Sequence, residues 1–517
     1  MRQLPAASTP PQSHIRRAVL AIAAATALAG IAAAIIYARA GLTLAHFDAR
    51  AHLVVARRIL DSLMPGWQQI GAVWLPLPHL LNMLPVQVDA WYRSGASATA
   101  ISIASMAVGA GALAALVIGR TGSVSGAAAG AALMMANPNV LYLQSTPMTE
   151  ALLFGVTLLA VASTAHWLDR LDSGTPSAFA RAPAGTSARG PGLAIAAACM
   201  TRYEAWPICG AIVALAIAVL VRRGRSPLAA VRTVVPLVVY PAIAIAIFLL
   251  NSRWTVGAWF VSSGFFVAEN DARGLPMLAL DQVREGLYRL SGPITVWAAY
   301  AAAALVAFAF ARSRARASLV LVLALAAAAL LPWYAYYQGH PFRIRYSVPL
   351  VIACSALIAT GIGLLPRLAR FAAALAIVAA TLWQASPIDR RAPIVAESQR
   401  DAANAVGRRA VTAYLAAHWD GRPIMMSMGS LAHYMHDLSR DGFAIHDFLH
   451  EGNGEVWKAA IEFGPRPYVR WVAIEESAEG GDALSQRARE DDRFLRGFER
   501  VAEGGGVALY RATPPID

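Results

Sequence analysis

AVLAIAAATALAGIAAAIIY, Ala18–Tyr37, is followed after eight residues by HFDARAHLVVARRIL, His46–Leu60. The first stretch is apolar for about the 20 residues that a helix needs to cross a bilayer. The second places Asp48, Arg50, His52, Arg57 and Arg58 just beyond it. Charges so close to a membrane are costly, so their presence points to a task. Arg16-Arg17 before the apolar run and Ala38-Arg39-Ala40 after it resemble a secretory signal with a cleavage site. The run is longer than such a signal needs, and it is read as an uncleaved anchor whose basic end, residues 1–17, lies in the cytoplasm.

The rest of the chain extends that reading. Of 517 residues, 57% are apolar and 15% charged, and the mean hydropathy is +0.49, which excludes an ordinary soluble domain. The formal charge of +13 comes from arginine, because Lys458 is the sole lysine, and it does not by itself indicate nucleic acid. Cys199, Cys209 and Cys354 all lie in apolar runs, so the polar regions have no disulfide framework.

Further spans are predicted over Ala98–Ile118, Ser123–Leu141, Ala151–Leu168, Val231–Leu250, Ile294–Ala311, Leu319–Tyr337, Val348–Leu365 and Phe371–Gln384. Arg120, Arg170, Arg181, Arg189, Arg222-Arg223-Gly224-Arg225, Arg312–Arg316 and Arg367–Arg370 all fall on the side of the N-terminus, which the positive-inside rule makes cytoplasmic. Gly192–Val221, interrupted by Thr201–Glu204 and Pro207, is short for two crossings and is read as a half-length hairpin with Arg202 and Glu204 at mid-depth. The membrane region is thus 18–385, with outward loops 48–97 and 251–292. From Ser386 to Asp517 the pattern changes to that of a soluble α/β domain outside the membrane. Strands are predicted at Pro423–Met428, Val469–Glu475 and Val507–Arg511, and helices at Leu431–Leu438, Glu455–Phe463 and Ala483–Leu495.

On a helix from Asp48, Arg50, Arg57 and Asp61 share one stripe, while Asp48 and His52 share another face one turn apart. Ala49, Ala56, Leu60 and Leu63 supply an apolar side, so the helix is expected to lie along the membrane surface. PGWQQIGAVWLPLPHLLNMLP, Pro65–Pro85, holds too many prolines for one helix. Its Trp67, Trp74 and His79 suit an aromatic belt at the headgroups, whereas Gln68, Gln69 and His79 suit a hydroxylated ligand.

Asp48 after the first span, WLPLPH at Trp74–His79, QSTPMTE at Gln144–Glu150, TRYE at Thr201–Glu204 and RIRY at Arg343–Tyr346, in that order, resemble the GT-C superfamily of membrane glycosyltransferases. Within it, the chain is similar to family-39 enzymes, the protein mannosyltransferases and lipid A aminoarabinose transferases. The resemblance covers roughly residues 15–385. It implies a polyprenyl-phosphate sugar donor, an active site facing away from the cytoplasm of a bacterial inner membrane, and inverting transfer to a hydroxyl of a lipid, glycan or protein acceptor. It also implies Asp48 as catalytic residue and ligand contacts from the motif residues Gln144, Tyr203 and Tyr346. Ala49 and Arg50 follow Asp48 where the protein mannosyltransferases carry an Asp-Glu pair, so their acceptor is not carried over.

The chemistry of the residues agrees. A sugar hydroxyl attacks only when a placed carboxylate such as Asp48 takes its proton. A departing lipid phosphate needs arginine, for which Arg57, Arg202, Arg343 and Arg345 are candidates. Snorkelling is the plain alternative for Arg343 and Arg345. Glu150 opens a span, where it offsets the helix dipole or positions an arginine, and Glu204 neutralises Arg202 or joins it in binding. His433, His436, His446 and His450 are spaced H-x-x-H and H-x-x-x-H beside Asp437 and Asp447, so a divalent metal is conceivable, although nothing fixes their convergence. The reading requires no cofactor. Tyr434, Phe448 and Trp457 are expected to help cover the active site. Two rival functions remain. One is a ligase or polymerase using a lipid-diphosphate oligosaccharide, and the other a non-enzymatic transporter of lipid-linked sugar, which would need a second, inverted copy of the hairpin.

Overall fold

The computed structural model describes residues 12–71, 73–171, 187–260, 270–477 and 481–513. The chain begins with α1, Gln12–Arg39, the predicted first span. The loop behind it folds into α2, Phe47–Arg57, and two short helices, α3, Leu77–Asn82, and α4, Asp89–Ser94. Next come α5, Ala96–Thr121, α6, Val124–Ala136, α7, Pro138–Leu143, α8, Glu150–Leu171, α9, Arg189–Cys199, and α10, Ala205–Arg222. The bundle continues with α11, Pro227–Thr255, α12, Pro276–Ser291, and α13, Pro293–Arg312. It is completed by a 3₁₀ stretch, Arg314–Ala329, running into α14, Leu330–Tyr337, and by α15, Val348–Leu364, and α16, Arg367–Gln384.

Eight of these helical segments among the described residues are long and apolar enough to cross a membrane. Two predicted spans are not among the eight: Phe371–Gln384 forms α16, whose first turn carries Arg367 and Arg370, and Ser123–Leu141 is divided. Ser123–Leu141 is not one helix: it breaks at Asn137, whose side-chain oxygen caps α7 by accepting the Asn139 and Val140 amides at 3.0 and 3.2 Å. Pro138 at the first helical position suits that start. The hairpin also departs from expectation, because α10 with 18 residues is a full-length apolar helix and only α9 is short. The turn between them brings Arg202 within 3.0 Å of Glu150 at the start of α8, so it lies at that end of the bundle rather than in its middle.

α15 forms the axis of the bundle, with every residue from Val348 to Gly363 buried. α5 and α8 approach closely, because Gly109 and Gly155 face each other at the crossing. Asp169 gathers one end of the bundle: it pairs with Arg120 and, at 2.5 Å, with Arg223, and accepts from Ser318 Oγ at 3.1 Å.

The C-terminal part contains α17, Pro393–Gly407, α18, Arg409–His418, α19, Met428–Leu438, α20, Gly454–Phe463, and α21, Ala483–Glu490. Its sheet comprises β1, Ile424–Met426, β2, Phe448–Leu449, β3, Trp471–Glu475, β4, Phe498–Gly504, and β5, Val507–Ala512, in the order β2-β1-β3-β5-β4. β1 runs parallel to β2 and β3, and β5 is antiparallel to β3 and β4. The three predicted strands are present. β2, β4, α17 and α18 were not foreseen, since β4 alternates weakly and sits at a half-exposed edge.

The packing of α2 overturns the surface-helix expectation. Residues Ala49–Ala56 are all buried, and Ala51, Leu53, Val54 and Ala56 share a core with Met426, Leu431, Tyr434 and Trp471 of the C-terminal part. The helix is therefore enclosed between bundle and sheet.

Candidate active site

His46 starts α2 by accepting the amide of Asp48 on Nδ1 at 3.1 Å, which satisfies one of the free N–H groups of the first turn. Asp48 then points at the end of the bundle opposite Asp169. Its Oδ2 accepts from Arg345 Nη2 at 2.5 Å. Arg345 reaches further, with Nη1 3.3 Å from His46 Nε2 and Nε 3.6 Å from Glu150 Oε1. Glu150, 1% exposed at the start of α8, lies 3.0 Å from Arg202 Nη1. Arg202 also donates to Thr149 Oγ1 at 3.0 Å and, through Nη2, to Glu204 Oε1 at 2.7 Å. An acid–base chain thus runs from Asp48 through Arg345, Glu150 and Arg202 to Glu204, joining residues more than 200 positions apart in sequence.

Glu150 meets both arginines, and of the two it is Arg345 that reaches Asp48. Burial works to raise the Asp48 pKa, but the charge and hydrogen bond of Arg345 outweigh it and hold the carboxyl well below the ordinary range. It is a carboxylate at neutral pH.

Beside it, His52 Nδ1 meets His79 Nε2 at 3.1 Å, and Trp74 covers His52 with ring centroids 4.0 Å apart. Burial, then His79, depresses His52 well below its usual value. Burial, then Arg58, pushes His79 down to about 3. Both rings are neutral, so this wall of the site offers hydrogen bonds without charge. Trp74 and His79 therefore face inward, while Trp67 is 54% exposed on the outer surface, as a belt residue is. Tyr346 OH stands 3.5 Å from His340 Nε2, and Tyr203 OH donates to the carbonyl of Val73 at 3.1 Å, tying the hairpin turn to the proline-rich loop. Arg343 adjoins Arg345 at the start of the same span, where its carbonyl accepts from Tyr336 OH at 2.7 Å.

Other candidates lie outside the cluster. Arg57 pairs with Asp61 at 2.9 Å and Asp89 at 2.7 Å, with its guanidinium 4.5 Å from the centre of the Tyr92 ring. None of those partners belongs to the chain from Asp48 to Glu204, so Arg57 stands apart from the site to which it was assigned. Gln144 donates to Gly30 O at 3.2 Å and packs α7 on α1. Gln69 donates to Met64 O and Gly452 O at 2.8 and 2.7 Å, joining the loop to the C-terminal part.

The four histidines do not converge. His433 pairs with Arg408 and stacks on Phe47, His436 faces the Tyr92 carbonyl, His446 binds Asp61, and His450 accepts from the amide of Gly452. Among the described residues no group of three or more His, Cys, Asp or Glu could hold a metal ion.

Three residues of the site were not foreseen. His46 precedes Asp48, while Glu397 and Asp401 come from α17, 3.7 Å from His46 Nε2 and Nδ1 respectively. The only hint in the sequence is an i, i+4 acidic pair after Pro393.

No protein-family model and no curated protein matches the chain. Among solved structures, ArnT from Cupriavidus metallidurans bound to undecaprenyl phosphate is similar with a TM-score of 0.56 at 14% identity, covering 93% of this chain and 97% of that one. The apo state of the same protein gives 0.55 at 12% identity, covering 93% and 96%. Both the bundle and the C-terminal part are needed to reach that coverage. The chain thus shares the fold of ArnT over nearly its whole length, the fold that the resemblance in its motifs implied.

Proposed function

We propose that this protein is an inverting glycosyltransferase that moves a sugar from a polyprenyl-phosphate donor to an acceptor hydroxyl at the outer face of the cytoplasmic membrane. The observation that carries the reading is the contact of Asp48 with Arg345, beside Glu150 and Arg202, in a fold whose solved neighbour binds undecaprenyl phosphate. A base and phosphate-binding cations meet at one point, as such a transfer demands.

In the reaction, the acceptor oxygen attacks the anomeric carbon and gives its proton to Asp48. The bond from that carbon to the phosphate oxygen breaks, and the polyprenyl phosphate leaves with the electron pair. Arg345 and Arg202 offset the charge that develops on it. A phosphate arriving at Arg345 competes with Asp48 for the same guanidinium. Donor binding therefore frees the carboxylate and raises its basicity where the acceptor must be activated. His52 and His79, both neutral, are placed to hold sugar hydroxyls.

Sidedness is inferred from charge. Arg120, Arg222, Arg223, Arg316 and Arg370 collect at the Asp169 end, so that end faces the cytoplasm and the Asp48 end faces outward. The donor there has no nucleotide, which favours a lipid-linked sugar.

The test is Asp48→Asn, which keeps the shape and cannot take a proton. The expected result is a correctly folded protein whose transfer falls by about 100-fold or more. Turnover near that of the wild type would exclude Asp48 as base.

A further inference from the structure

The turn that presents Asp48 is held by a segment more than 300 residues away. Asp401 Oδ2 accepts the amide of Phe47 at 3.1 Å, and His46 Nδ1 accepts that of Asp48 at 3.1 Å, so two side chains pin consecutive N–H groups. Because Nδ1 accepts, the proton of a neutral His46 sits on Nε2. Arg345 Nη1, 3.3 Å from Nε2, is a donor and cannot take it. Glu397 Oε1 is an acceptor and lies 3.7 Å away, an electrostatic contact longer than a hydrogen bond that favours the proton on Nε2.

We propose that His46 is a positioning residue for Asp48, held in the required tautomer by Glu397, and that the transfer site is incomplete without α17. This rests on the reading of Asp48 as the base. Should the proton move to Nδ1, the imidazole would turn to Asp401 and lose the amide of Asp48. The carboxylate would then leave its line with Arg345. Burial opposes ionisation of Glu397, yet its contacts with His46 and Arg345 hold its pKa below the usual value, so it stays an acceptor. The surroundings leave His46 little choice of partner, for its ring is enclosed by Asp48, Arg345, Glu397 and Asp401, with only 4% of the residue exposed.

The test uses the full-length protein with His46→Asn, Glu397→Gln and the double variant. The donor is a polyprenyl-phosphate sugar fraction extracted from membranes of the producing cell, and release of polyprenyl phosphate is followed. Asparagine caps helices well, so thermal unfolding should not change, but its shorter side chain does not reach Glu397 as Nε2 does, so the group that holds the Asp48 amide is no longer fixed by α17. Binding of undecaprenyl phosphate should also remain, whereas kcat should fall by roughly 10- to 100-fold in each single variant, with donor KM steady. The double variant should be no worse than either single one, because both remove one linkage. Wild-type kcat in His46→Asn would reduce His46 to a helix cap and overturn the proposal. Wild-type kcat in Glu397→Gln, or losses that multiply in the double variant, would do the same for the role of α17. Glu397→Gln leaves the cap untouched and carries the test alone if His46→Asn does not fold. A wild-type protein that releases no polyprenyl phosphate would refute the transferase reading itself. Active wild type with unaffected variants refutes only this inference.

Discussion

At the residue scale, the pairing of Asp48 with Arg345 at 2.5 Å sets both charge and basicity. Removing the cation leaves burial as the dominant influence, so in Arg345→Gln the Asp48 pKa must rise. The acid limb of the kcat/KM profile, which this pairing holds below the ordinary carboxylate range in the wild type, should move upward in the variant. A profile that does not move would detach Asp48 from the rate. The sign for stability follows from the same shift. A carboxyl depressed in the folded state stabilises above its unfolded pKa and loses that contribution as pH falls through the folded one, so wild-type stability should outlast that of the variant in acid. Arg345→Lys should bind undecaprenyl phosphate more weakly than wild type but better than Arg345→Ala, since a point charge cannot make paired contacts. Equal affinity in all three would place the phosphate elsewhere. Asp48, Glu150, Arg202 and Arg345 were singled out in the sequence because their residue types suit phosphate and proton transfer, and the structure brings the four side chains together. Arg57 looked identical in sequence, and only its place in the fold, where it meets Asp61 and Asp89 rather than Asp48 or Glu150, sets it apart from the site.

At the element scale, the placement of Glu150 depends on how closely α8 approaches α5. A Cβ added to Gly155 would strike the backbone of Ser105, which cannot give way as a side-chain tip could. Gly155→Ala should therefore cost about 1–3 kcal/mol, read as a lower unfolding temperature in detergent, and should impair activity by shifting Glu150 against Arg202. An unchanged unfolding temperature would show that the crossing has slack. Helix existence was readable from apolar run length for most spans. The break at Asn137-Pro138 carried its own signal, a capping side chain followed by proline, within an otherwise continuous apolar run. The burial of α2 carried none. Its alternation of arginine with alanine and valine fits a membrane surface as well as a protein interior, and Arg50 becomes tolerable inside only because Asp437 meets it at 2.5 Å.

At the scale of the whole molecule, α2 lies between bundle and sheet, so the C-terminal part of the chain packs directly on the helix that carries Asp48. Topology gives the broadest prediction. Cys199, Cys209 and Cys354 are buried, so an introduced thiol can be read against little background. A cysteine at exposed Glu462 should react with a membrane-impermeant reagent in intact spheroplasts, and one at exposed Ser187 only after lysis. Reversed labelling would turn Asp48 to the cytoplasm and remove the main support for a lipid-linked donor. Hydropathy and charge, which act over contiguous residues, determined by themselves that this is a polytopic helical chain with a mixed α/β end, and its short motifs marked Asp48, Glu150, Arg202 and Arg345. Which charges meet was decided only by the tertiary structure. Ion pairing depends on distances of a few ångströms between side chains that the chain separates by hundreds of residues, as between His46 and Glu397. Such convergence leaves no trace in local pattern, because each partner alone is compatible with solvent, headgroup or site.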